Sequence, residues 1–178
     1  YFQESLAICQ AIGDDRGIAL SLSYLGDVIQ MMGEYPGARQ LYQESLAIFE
    51  EIGNQWGIIS GHNKLGYISN ELGETEAAER HFAAALDLAE SIQATPAMLD
   101  ALVGLVALRI KRGDGDWSLI LEALALALNH PVSSRSNQDR AARLLAELEP
   151  HLPANALSRL QAEPQTQSIA EILDSLRR

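Results

Sequence analysis

Residues 42–53 read YQESLAIFEEIG, and residues 2–13 read FQESLAICQAIG, a near-copy 40 positions earlier. The same interval recurs along the chain. Leu6, Leu46 and Leu86 coincide, as do Ile12, Ile52 and Ile92, and Leu25, Leu65, Leu105 and Leu145 form a further column. Gly33, Gly73 and Gly113 align, and Gly26 pairs with Gly66. A shared period punctuated by glycine is the signature of a repeat array, in which small units stack to bury one continuous core.

Within one period the apolar spacing is helical. Ile18, Leu22, Leu25 and Ile29 fall every three or four positions and line one face. Ala38, Leu41, Tyr42, Ser45, Leu46 and Ile48 do the same in the next segment. Gly33 suits a left-handed stop after the first helix, and Pro36 the first turn of the second. Thr95-Pro96 is a similar start signal, with Thr95 expected to cap exposed amides. Each period therefore encodes an antiparallel helix pair.

These residues resemble the tetratricopeptide repeat (TPR) family. The family's Leu-Gly followed by small, aromatic and small residues is matched by Leu25-Gly26, Ala38, Tyr42 and Ser45, then by Leu65-Gly66, Ala78, Phe82 and Ala85. The usual period is about 34 residues. Here it is 40, with an Ile-Gly-Asp/Asn-x-x-Gly link at Ile12 to Gly17 and Ile52 to Gly57. That longer variant is similar to arrays in kinesin light chain, spindle-orientation adaptors and large bacterial signalling ATPases.

The resemblance implies an all-α, right-handed solenoid of antiparallel helix pairs with a C-terminal helical cap. The expected array covers 1–130: an orphan second helix at 1–13, repeats at about 17–52 and 57–92, and a degenerate repeat at about 96–129. Val106 stands there in the Gly column, and GDGDW (113–117) forms the turn. The cap is expected at 131–178, from a loop SSRSNQDR (133–140) into a helix bearing Leu144, Leu145 and Leu148. Two short amphipathic helices should follow, one with Leu157 and Leu160, the other with Ile169, Ile172, Leu173 and Leu176. The last segment is also similar to the close of bacterial ATPase regulators, which makes Arg178 an expected natural end. Phe2 and Leu6 present an apolar face on the orphan helix that another copy is expected to cover.

Composition narrows the function. Lys plus Arg number 13 against 24 Asp plus Glu, a net charge of -11, which repels phosphate backbones and argues against nucleic acid. A basic protein surface or peptide remains a fitting partner. No apolar run reaches a membrane span, and the chain, opening at Tyr1 without a leader, reads as a piece of something longer; the expectations are a cytoplasmic location and no membrane contact. Cys9 is the single cysteine, in the column of Phe49, and reads as a small core residue.

Catalytic and metal signals are sparse. His62, His81, His130 and His151 show no metal spacing and are expected to stand apart, His62 and His81 at the edge of the core. GDGD (113–116) lacks the Lys of a phosphate loop and the later ligands of a calcium loop. No enzyme activity, cofactor or metal is expected.

The resemblance places the first helix of each pair along the concave side. One face of it carries Ser23, Asp27, Gln30 and Met31, then Ser60, Asn63, Tyr67 and Asn70, then Val103, Ala107 and Ile110. Asn63 and Asn70 are expected to hydrogen-bond an extended peptide while Tyr67 covers its apolar side chain. A clamp for chaperone C-terminal carboxylates is excluded: the corresponding Ser23, Asp27, Lys64, Asp100 and Gly104 include one basic residue and two acids. Trp56 and Trp117, near helix junctions, are expected to pack. The expected function is a non-catalytic scaffold for protein or peptide, serving as the sensing or docking arm of a larger bacterial signalling protein. Self-association and small-molecule sensing are the alternatives.

Overall fold

The computed structural model describes residues 1–113, 116–151 and 168–177. Every regular element among them is helical. The chain forms two compact units, Tyr1–Leu88 and Ala89–Arg178.

The first unit holds α1 (Phe2–Ile12), α2 (Asp15–Met31), α3 (Tyr35–Glu51), α4 (Gln55–Glu71) and most of α5 (Thr75–Ser91). The 40-residue period reappears in the backbone. Gly13 and Gly53 close α1 and α3 at φ 69° and 66°, while Gly33 and Gly73 follow α2 and α4 at 82° and 78°. These left-handed positions favour glycine because it has no Cβ to clash with its own carbonyl. Gln93, one period beyond Gly53, adopts φ 55° without that freedom. Asp14 and Asn54 cap α2 and α4, accepting from the Gly17 and Gly57 amides at 2.9 and 3.0 Å.

Packing follows from small residues facing large ones. A Cβ on Gly26 of α2 would stand 2.5 Å from the Tyr42 ring of α3, and one on Gly66 of α4 would stand 2.7 Å from Phe82 of α5. Only glycine leaves room for the ring, and both rings are fully buried. Tyr42 joins Ala38, Leu46, Leu65 and Ile68 in one apolar cluster drawn from α3 and α4. Burying such a side chain is worth roughly 1.5–3 kcal/mol. Successive pairs dock through a second notch, in which Phe49 of α3 fills the space beside Gly57 of α4. Cys9 occupies the equivalent place beside Gly17, half-buried, as a small packing residue.

α1 has 11 residues where its counterpart α3 has 17, and none of them is buried. Val28 of α2 and Met32 at its C-cap are exposed, whereas Ile68 and Leu72, one period on, pack in or against the α3 cluster.

The second unit contains α6 (Thr95–Arg112), α7 (Trp117–Asn129), α8 (Arg135–Leu148), a single 3-10 turn (Glu149–His151) and α9 (Ile169–Arg177). Thr95, expected to cap α6, is instead its first helical residue. Ala94 holds the cap position and offers no acceptor, so α6 starts without a side-chain cap and relies on Pro96, which has no amide to satisfy. Gly113 ends α6 at φ 67°, and Asp116 caps α7 through the Ser118 amide at 2.9 Å. α7 is apolar on most sides, burying Ile120, Leu121 and Ala123 to Ala127, because α6, α8 and α9 all pack against it. Val106 replaces the notch glycine, and the matching ring position is Glu122: notch and ring disappear together.

α8 is entered through Ser134, whose hydroxyl accepts from the Asn137 amide. α9 begins with a reciprocal cap: the Ser168 amide donates to Glu171 at 2.7 Å and the Glu171 amide to the Ser168 hydroxyl at 3.3 Å. The Ser168 amide, and after it the Ser168 hydroxyl donating at 3.0 Å, hold the exposed Glu171 carboxyl below its ordinary pKa. Ile172, Leu173 and Leu176 are buried, Arg109 donates to the Leu176 carbonyl, and Arg140 of α8 donates to Asp100 of α6 at 2.9 Å. The helix expected around Leu157 and Leu160 lies outside the described residues.

Candidate functional site

Three helices of the first unit meet at Asp27. The Tyr42 hydroxyl of α3 donates to its carboxylate at 2.8 Å, and the Gln30 carboxamide lies 2.8 Å from the same hydroxyl. Lys64 of α4 forms an ion pair with Asp27, and its ammonium also sits 5.1 Å from the centre of the Tyr42 ring. The acid, phenol and ammonium thus satisfy one another and fix α2, α3 and α4 in register. Lys64, the one basic residue at the carboxylate-clamp positions, is neutralised by Asp27, which agrees with the exclusion of that clamp.

The residues assigned by sequence to the binding face divide by accessibility. On α2, Met31 is 88% exposed, Asp27 and Gln30 are half-buried within the network, and Ser23 is buried. On α4, Ser60 is exposed and Tyr67 and Asn70 are half-buried, but Asn63 is only 3% exposed. On α6, in the second unit, Val103 is buried and Ala107 and Ile110 are half-buried. Ser23, Asn63 and Val103 are therefore packing residues in the free chain. A helix inside an array is covered by more than one neighbour, so the strip left to solvent is narrower than one helical face. Tyr67 stands edge-on to Phe82, ring centres 5.0 Å apart, which sets its ring direction.

Trp56 and Trp117, expected to pack, are both exposed, each in the first turn of its helix. His62 and His81, expected to stand apart, meet across α4 and α5 with their Nδ1 atoms 3.0 Å apart. Burial pushes both imidazoles below the ordinary histidine pKa. The charges of His62 and Arg80 lower His81 further, and Glu50 acts in the opposite sense on His62. No group of three or more His, Cys, Asp or Glu among the described residues is arranged to hold a metal ion. No helix there is long and apolar enough to cross a membrane.

Residues 1–51 match the family model described as tetratricopeptide repeat. No curated protein and no solved structure matches the chain.

Proposed function

We propose that the chain is a non-catalytic scaffold whose α2 and α4 grip a protein or peptide segment, a reading supported by the match of residues 1–51 to the tetratricopeptide repeat family, whose repeats generally mediate protein–protein contact. The observation that carries this reading is the division of labour on those helices. Asp27, Tyr42 and Lys64 hold the pairs in register, while Met31, Ser60, Tyr67 and Asn70 keep surface available beside them. Met31 and the Tyr67 ring suit an apolar side chain, and the Ser60 hydroxyl and Asn70 carboxamide suit an extended backbone. The net charge of -11 favours a segment carrying Lys or Arg. In this reading the chain is the docking arm of a larger bacterial signalling protein.

Paired variants test the proposal. Once a partner is isolated with the intact array, Met31→Glu combined with Ser60→Arg should abolish its binding in a titration. Gln43→Arg, on the exposed side of α3, should leave it unchanged. Equal affinity for all three chains contradicts the reading.

Self-association is a second reading, favoured by α1, where Ile8 and Ile12 are 61% and 71% exposed. It requires a concentration-dependent dimer in sedimentation that Ile8→Lys with Ile12→Lys abolishes.

A further inference from the structure

The head-on contact of His62 and His81 restricts how many protons the second helix pair accepts. The two Nδ1 atoms are 3.0 Å apart while the ring centres are 5.3 Å apart, so both nitrogens lie on the line between the rings and aim at each other. Such a pair is a hydrogen bond between one Nδ1–H and one bare Nδ1 lone pair. A metal ion requires both lone pairs to converge on a third point, which this alignment does not supply. A proton does fit, and only one. A doubly protonated pair turns two N–H groups toward each other at hydrogen-bond distance with no acceptor between them.

The charges around the two rings act in opposite senses. Glu50 of α3 is the acidic group whose charge favours protonation of His62, while Arg80, on the same helix as His81, opposes protonation there. One repeat earlier the same two positions are Leu22 and Leu41. A polar, titratable contact therefore stands where the preceding copy has an apolar pair.

We propose that His62 and His81 form a pH-sensitive catch between α4 and α5, closed when the pair carries at most one proton and forced open when it takes a second. The sign follows from linkage. The unfolded chain binds a proton on each imidazole as pH falls through about 6.5. The folded pair resists, so the unfolded state gains protons first and stability falls with falling pH. The catch is fully effective above that value and is lost as acid forces the second proton on.

Urea unfolding of the whole chain between pH 8 and 5 tests this, comparing the wild type with His62→Leu/His81→Leu, which writes the first repeat's pair into the second. The ratio of wild-type to variant folding constants should be flat above pH 7. It should then fall by up to about tenfold per pH unit, the slope of the one excluded proton; His130 and His151 are common to both chains and cancel. A ratio independent of pH overturns the proposal. Should the variant fail to fold, imidazole nitrogen NMR of the wild type decides. One ring protonated at Nδ1 and the other bare there, with the second proton arriving well below pH 6.5, supports the catch. Two rings titrating independently near the ordinary histidine value overturn it.

Discussion

The ring of Phe49 on α3 occupies the space a side chain on Gly57 of α4 would need: a Cβ there would stand 2.3 Å from Phe49 Cγ and Cδ1. Successive helix pairs dock through this contact. Gly57→Ala gains up to about 1 kcal/mol of helix propensity, but overpacking against the ring costs about 1–3 kcal/mol. The variant should therefore be destabilised by about 1–2 kcal/mol net. Gly61→Ala on the same helix meets the flexible Leu46 side chain no nearer than 3.1 Å. Its propensity gain should offset the crowding to within about 0.5 kcal/mol. Urea midpoints at unchanged slope distinguish the two.

Gln93 marks a place where a simple change should stabilise the protein. It holds φ 55° in the column that Gly13 and Gly53 occupy. A left-handed backbone costs an L-residue roughly 1–2 kcal/mol, against roughly 0.5–1 kcal/mol of extra unfolded-chain entropy for glycine. Gln93→Gly should raise stability by about 0.5–1 kcal/mol, seen as a higher Tm in a thermal scan.

The Asp27 network separates a buried contribution from an exposed one. Tyr42 is fully buried and its hydroxyl donates to a carboxylate, so Tyr42→Phe should cost about 1.5 kcal/mol. Lys64 and Asp27 are partly exposed, their side chains retaining 23% and 39% of their surface. Lys64→Met, which keeps the aliphatic stem, should cost less than about 1 kcal/mol, and the difference should shrink further in high salt. Unfolding curves at two ionic strengths measure both.

Losing the α4 cap should be visible locally. Asn54→Ala removes the acceptor for the Gly57 amide and should destabilise the chain by about 1 kcal/mol. Hydrogen exchange should quicken first at the amides of the opening turn of α4.

The architecture was legible because the period governs backbone features that depend on single residues. Asp15, Gln55 and Thr95 start α2, α4 and α6 at 40-residue steps, and the glycine columns end helices where the sequence put them. The start of α6 was misread by one residue, since a Thr next to a Pro looks like a cap unless the turn preceding it is known. How much of the candidate face stays open to solvent was not legible in the sequence. Periodicity locates Asn63 and Ser23 on the intended side, yet it cannot report that neighbouring helices cover them. The meeting of His62 and His81, 19 residues apart on facing helices, depends on how α4 and α5 pack. The one signal for it was that their positions one period earlier are Leu22 and Leu41.

Hydrogen–deuterium exchange of the chain with and without its bound partner tests the central claim most directly. The account predicts new protection in α2 and α4, concentrated in the segments carrying Met31, Ser60, Tyr67 and Asn70, with the outer turns of α3 unaffected. Protection confined to α3 or to α1, with α2 and α4 unchanged, would contradict it.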